Sequence, residues 1–484
     1  MRDSTRRALW VLLLGCAGTG AMAAPRGALL VAAKHGAAAE IAALLADEAD
    51  ADEADADGTT ALHWAAHNGD LESAAALLAA GAAPDVANRY GVRPTYLAAE
   101  NGDGAMMRAL LDAGADPKAT FAENETLLMT ASRTGDVATI DALIAAGVDV
   151  DAVEARGGQT ALMSAAAEDN GPAVAALLAA GAERDARAAT GEFTALAFAV
   201  RGGAVAATTA LLGAGADANA SLADGTSMLV LAAINANYEV MSLLLDHGAD
   251  ANAAAPNGWA SLHYIARVRR WNRGFNLPGP EHRDQLSSLA VARKLVAHGA
   301  DVNARQTGAD DAGATPLLFA TKFLDLAYMR TLLELGADPK LATDDGTTAV
   351  MFAAGVGQGF NSAGNAPGSI EEAMAAVELT LEIGGGTVND INGDNETPLH
   401  GAMYRGGSLA LIDLLVEHGA NLEGVANKRG WTPLRIADGV ALDGSAFIRY
   451  PDAAAHLREL MQARGLPVPP VEWDGPSGAT AASP

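Results

Sequence analysis

Glycine returns along this chain at fixed intervals: Gly58, Gly91, Gly158, Gly191, Gly225 and Gly258, with Asn124 in the one vacant place, so that successive marks stand 33 or 34 residues apart. After each mark a similar string follows, as in Gly58-Thr59-Thr60-Ala61-Leu62-His63-Trp64-Ala65-Ala66, then Gly69, then Leu77-Leu78, then Gly81-Ala82. A string repeated at that period specifies a repeated structural unit. Thr60 suits a helix N-cap, because its hydroxyl accepts from an unpaired backbone N–H of the first turn. In Thr315-Pro316, Thr397-Pro398 and Thr432-Pro433 the proline falls on the first helical position, where its missing N–H costs nothing. Gly69 and Gly81 stand where two short helices would end and a left-handed residue is needed. Each unit is therefore a pair of helices.

Helices of about ten residues are marginal alone in water, so neighbouring units must bury their Leu and Ala faces against one another. Thr397-Pro398-Leu399-His400-Gly401-Ala402, and less completely Thr315-Pro316-Leu317-Leu318-Phe319-Ala320, resemble the signature of the ankyrin repeat, whose period is 33 residues. The resemblance runs from Arg26 to Gly465 and implies an all-α solenoid of about twelve helix-turn-helix units with short β-hairpin fingers. The first unit, residues 27–57, and the last, 430–465, are the most degenerate, as terminal caps should be. His63, His263 and His400 share one slot of the repeat, where bonds to the neighbouring turn are the expected task.

The ends read differently. Arg2, Arg6 and Arg7, the apolar run Ala8 to Leu14, and Ala21-Met22-Ala23 read as a signal peptide over residues 1–23, with export from a bacterial cytoplasm and cleavage after Ala23. Leu13-Leu14-Gly15-Cys16 also resembles a bacterial lipoprotein signal, and lipidation at Cys16 would be the only tie to a membrane. The expected location is periplasmic or envelope-associated. Cys16 is the only cysteine, so no intrachain disulfide can form. Residues 466–484, rich in Pro, Gly, Ser and Ala, read as a disordered tail.

A net charge of −27 argues against nucleic acid as a partner, since phosphate affinity comes from clustered Lys and Arg. Three insertions break the period, near residues 267–285, 355–370 and 438–453, in alternate units and each between the first and second helix. The first carries Arg269, Arg270, Trp271, Arg273 and Phe275; the second Phe360 and Asn361; the third Phe447, Arg449 and Tyr450. Equivalent turns of successive repeats align along one edge, so the three loops could form one surface rich in Arg and aromatics, the residue types that anchor interfaces. The competing reading has them cover helix ends, with the arginines paired to acids. The finger tips, among them Arg89, Tyr90 and Trp259, and the groove they border form a second candidate surface.

Motifs for chemistry fail on inspection. His63 and His67 lie one helical turn apart but lack an evident third ligand. An acidic stretch before Gly58 would place Trp64 at the twelfth position of a calcium loop, where it cannot coordinate. Gly355-Val356-Gly357-Gln358-Gly359-Phe360 lacks the third glycine of a dinucleotide fingerprint. The sequence thus points to a monomeric, non-catalytic scaffold without cofactor that binds another protein. Binding of a small molecule or cell-wall fragment by the three loops, and an enzyme with an unrecognised site, are the alternatives.

Overall fold

The computed structural model describes residues 27–270, 285–358, 368–442 and 447–472. The leader, Cys16 and the tail beyond Glu472 lie outside them. Among the described residues twelve helix pairs follow one another in sequence, divided between two compact units.

The first unit runs to Ala165 and takes in residues 172–183. It holds α1 (Ala28–Lys34) with α2 (Ala38–Ala46), α3 (Ala61–Asn68) with α4 (Leu71–Ala79), α5 (Pro94–Asn101) with α6 (Gly104–Asp112), and α7 (Leu127–Thr134) with α8 (Val137–Ala145). The division falls within α9 (Ala161–Ala167) and α10 (Gly171–Ala179). The second unit contains α11 (Ala195–Gly202) and α12 (Val205–Gly213), α13 (Met228–Ile234) and α14 (Tyr238–Asp246), α15 (Ser261–Arg269) and α16 (Ser288–Ala297), and α17 (Pro316–Lys322) and α18 (Leu326–Glu334). It ends with α19 (Ala349–Ala354) and α20 (Ile370–Glu382), α21 (Pro398–Tyr404) and α22 (Leu409–Glu417), and α23 (Pro433–Asp438) and α24 (Pro451–Ala463).

Helix starts obey the capping rule. The hydroxyls of Thr126, Thr194, Thr315 and Thr432 accept from the N–H three residues on, at 3.1–3.3 Å. Four second helices use aspartate instead, Asp70, Asp103, Asp136 and Asp325 accepting from Ser73, Met106, Thr139 and Tyr328, and three use serine, Ser287, Ser369 and Ser408. Gly69 closes α3 at φ +65°, and Asn124 takes the left-handed turn at φ +61° in the place where other units have glycine.

Between pairs the chain forms the fingers, four of which carry an isolated bridge: Ala54↔Thr60, Thr120↔Thr126, Ser221↔Ser227 and Ala254↔Ala260. Asparagines clasp consecutive fingers of the second unit. Asn219, Asn252, Asn303 and Asn389 accept from the N–H of Asp250, Asp301, Asp338 and Asn421 at 2.7–2.8 Å. Stacked first helices form the core through Leu and Ala, with Ala65, Ala98, Ala131, Ala199, Ala232 and Ala353 fully buried. Small residues are required there: a Cβ on Gly401 of α21 would lie 2.8 Å from the backbone of Ala354.

Two local differences from the sequence reading have physical causes. The first insertion begins later than residue 267, because α15 continues to Arg269, whose guanidinium is held by the next pair. The third insertion forms a short antiparallel ribbon, β1 (Val440–Ala441) against β2 (Phe447–Ile448), registered Val440↔Ile448. From Leu466, where the composition reads as an unstructured tail, the chain continues through Glu472 in contact with the last pair.

Candidate interaction surfaces

The repeat's histidine slot works as a clasp between units. His63 Nδ1 accepts from Thr60 N at 3.1 Å, which leaves the proton on Nε2 to donate to Val92 O of the next finger at 3.1 Å. His400 does the same between Thr397 N at 3.0 Å and Trp431 O at 3.0 Å, and His263 between Ala260 N and Ala314 O, both at 3.2 Å. Burial opposes their protonation, and the pKa of His263 and of His400 falls to about 4. Both ring nitrogens of His63 are thereby engaged within the fold.

Of the residues proposed for the inserted-loop edge, Trp271, Arg273, Phe275, Phe360 and Asn361 lie outside the described residues. Arg269 is bound into the protein: it makes two bonds to Asp325, 2.6 and 3.0 Å, one to Ser288 at 2.5 Å, and lies over the Tyr328 ring. Tyr328 is fully buried and donates its hydroxyl to Leu262 O at 2.9 Å, so one network joins α15, α16 and α18. Arg270 bonds Leu324 O at 3.0 Å and Glu372 at 2.7 Å, and that pairing lowers the Glu372 carboxyl below its ordinary range. It thus joins the entry of the first insertion to the start of α20, which follows the second. Phe447 and Arg449 are half-buried at the base of the third insertion. Tyr450 precedes α24, donates its N–H to Ala437 O at 2.9 Å and packs beside Gly407.

The finger tips divide in the same way. Tyr90 is 68% exposed at the tip of its finger, while Arg89 crosses to the preceding finger and bonds Ala56 O. Trp259 is half-buried against Tyr264 and Phe319, its ring 4.5 Å from that of Phe319, with Arg267 above it.

Acidic finger tips form a further feature, one that the basic and aromatic residues of the sequence do not mark. In the second unit, Asp311, Asp344, Asp345, Asp394 and Glu396 border a cavity of about 320 Å³ beside Phe352, Val356 and Gly357 of α19 and the turn after it. The doubled acids Asp310-Asp311 and Asp344-Asp345, the first separated from Gly313 by one residue and the second directly before Gly346, were its visible trace in the sequence. Lys322 already sits there, 2.5 Å from Asp311 and over the Phe352 ring. Arg305 pairs with Asp344 and Lys428 with Asp394, each at 2.7 Å. Glu396 accepts from Tyr404, and burial raises its carboxyl pKa. The arrangement holds cationic groups and offers no nucleophile–base pair; no cluster suited to a metal ion occurs among the described residues.

Comparison with known proteins identifies the repeats. A family model for ankyrin repeats in sets of three matches residues 8–88, 29–121, 95–188 and 196–272, and a single-repeat model matches 394–428. The ankyrin-repeat domain of human ASB11, known from its crystal structure, is 27% identical in a match covering 45% of this chain and 96% of that one, with a TM-score of 0.41. More than half of the chain falls under the first model, and the protein belongs to the ankyrin-repeat family.

Proposed function

We propose that this chain is a non-catalytic scaffold of the bacterial periplasm or envelope, and that its second unit binds a basic, extended segment of a protein partner along the acidic fingers. Ankyrin repeats act as protein-interaction scaffolds. The observation that carries the choice of partner is the Asp311–Glu396 cavity beside Phe352. Its carboxylates suit ammonium or guanidinium groups, and Lys322, held over the buried Phe352 ring beside Asp311, shows a cation accommodated at its edge. The resident pairs Arg305–Asp344 and Lys428–Asp394 are largely exposed. Exposed pairs are worth about 0–1 kcal/mol, so an incoming cation can replace one at small cost.

Fluorescence anisotropy with labelled Lys/Arg-rich and Glu-rich peptides of equal length tests this reading. The basic peptide should bind and weaken as salt rises, and the D345K/D394K variant should lose at least about tenfold in affinity. Equal binding of both peptides, or an unaffected variant, would reject the basic-segment assignment.

Export follows in this proposal from the basic, apolar and small-residue order of residues 1–23. Intact-mass measurement of protein recovered from a bacterial envelope should give a mature chain beginning at Ala24. A diacylated Cys16 would assign it to the membrane surface instead, and an uncleaved Met1 would remove the export reading.

A further inference from the structure

In the last pair, the repeat's histidine slot is filled by Arg435, three residues after Thr432 as His400 follows Thr397. His63, His263 and His400 each donate to the carbonyl that immediately precedes the next first helix's cap: Val92, Ala314 and Trp431. No helix pair follows α24 among the described residues, yet Arg435 also finds a carbonyl in that direction, that of Glu472. The Glu472 N–H returns a bond to Asp438 Oδ2 at 3.3 Å, and its carboxylate lies 3.3 Å from Arg435 Nε. Arg458 of α24 grips Asp438 with two bonds, 2.7 and 2.6 Å, and reaches Pro470 O at 3.4 Å.

We propose that residues 466–472 form a strap that takes the place of a following repeat's finger and covers the exposed side of the last described helix pair. The longer arginine side chain spans the distance to a segment that, among the described residues, has no helix pair behind it. Val468 and Val471 of the strap are 36% and 62% exposed, so the segment is held through its backbone by Arg435, Asp438 and Arg458 rather than by buried side chains. Such a closure is of low local stability and can be lifted without unfolding the pairs beneath, which would present the Arg435 donor to another chain's carbonyl.

Hydrogen exchange followed by mass spectrometry on three forms tests the proposal against the full-length protein: a chain ending at Gly465, the full chain with R435M, and the full chain with E472A. Truncation and R435M should each speed exchange across α23 and α24 by at least about tenfold, with α19 and α21 unaffected. E472A keeps the backbone carbonyl and should change exchange by less than about threefold. Exchange in α23 and α24 within about twofold of the parent for both truncation and R435M would overturn the proposal. So would an E472A effect equal to truncation, because the carboxylate rather than the finger-like backbone would then hold the strap. Arg435 also bonds Gly439 O at 2.7 Å within the last pair, so should the shortened chain fail to fold, exchange of the Glu472 amide itself in full-chain R435M decides: faster supports the strap, unchanged overturns it.

Discussion

Arg269→Ala should destabilise the second unit by about 3–5 kcal/mol, the range for removing one partner of a buried ion pair. The Asp325 side chain is 4% exposed and that of Arg269 20%, so the variant strands a carboxylate with little access to water. Asp325 is also the N-cap of α18, and Tyr328 behind it carries the bond to Leu262 O across two pairs. D325N keeps an acceptor for the cap and leaves the more exposed cation unpaired, so its loss should be smaller. In R269M/D325N neither charge remains, and at least half of the R269A loss should return. Urea unfolding monitored in the second unit separates these outcomes; an R269A loss under about 1 kcal/mol would show that the network is not the tie described here.

The second large effect is acid lability. His263 and His400 are neutral in the fold with pKa values of about 4, against about 6.5 in an unfolded chain. Between those values the unfolded chain binds protons that the folded chain refuses, so stability falls as pH falls. The contribution is complete above about pH 6.5, declines down to about pH 4, and is level below it. Each residue accounts for on the order of 3 kcal/mol over that window. His63, lowered in the same direction by burial, adds a similar trend in the first unit. Denaturation midpoints at pH 7, 5.5 and 4 should show the slope, and H263Q and H400Q should each flatten their share of it. A slope unchanged in the H263Q/H400Q double variant would assign acid lability to other groups.

Much of the architecture was legible because local chemistry repeats with the period. Thr126, Thr194, Thr315 and Thr432 cap the helices that follow them, and the left-handed turn at Asn124 obeys the same local logic. What resisted reading depends on separation. Arg270 finds Glu372 across 102 residues and Arg269 finds Asp325 across 56. Nothing local distinguishes an arginine bound into the protein from one offered to a partner. The acidic cavity escaped notice for a related reason: its carboxylates come from three fingers, each unexceptional by itself in a chain of this charge.

The asparagine clasps carry a mechanical consequence. Asn219, Asn252, Asn303 and Asn389 each link one finger to its successor. A pull applied to the ends of the second unit loads these links in series, as in a chain of buckles, and the weakest yields first while its neighbours hold. Every released repeat of some 33 residues then pays out roughly 110 Å of slack. Stretching would therefore lengthen the molecule in increments, and a bound partner would stay attached until its own segment gave way.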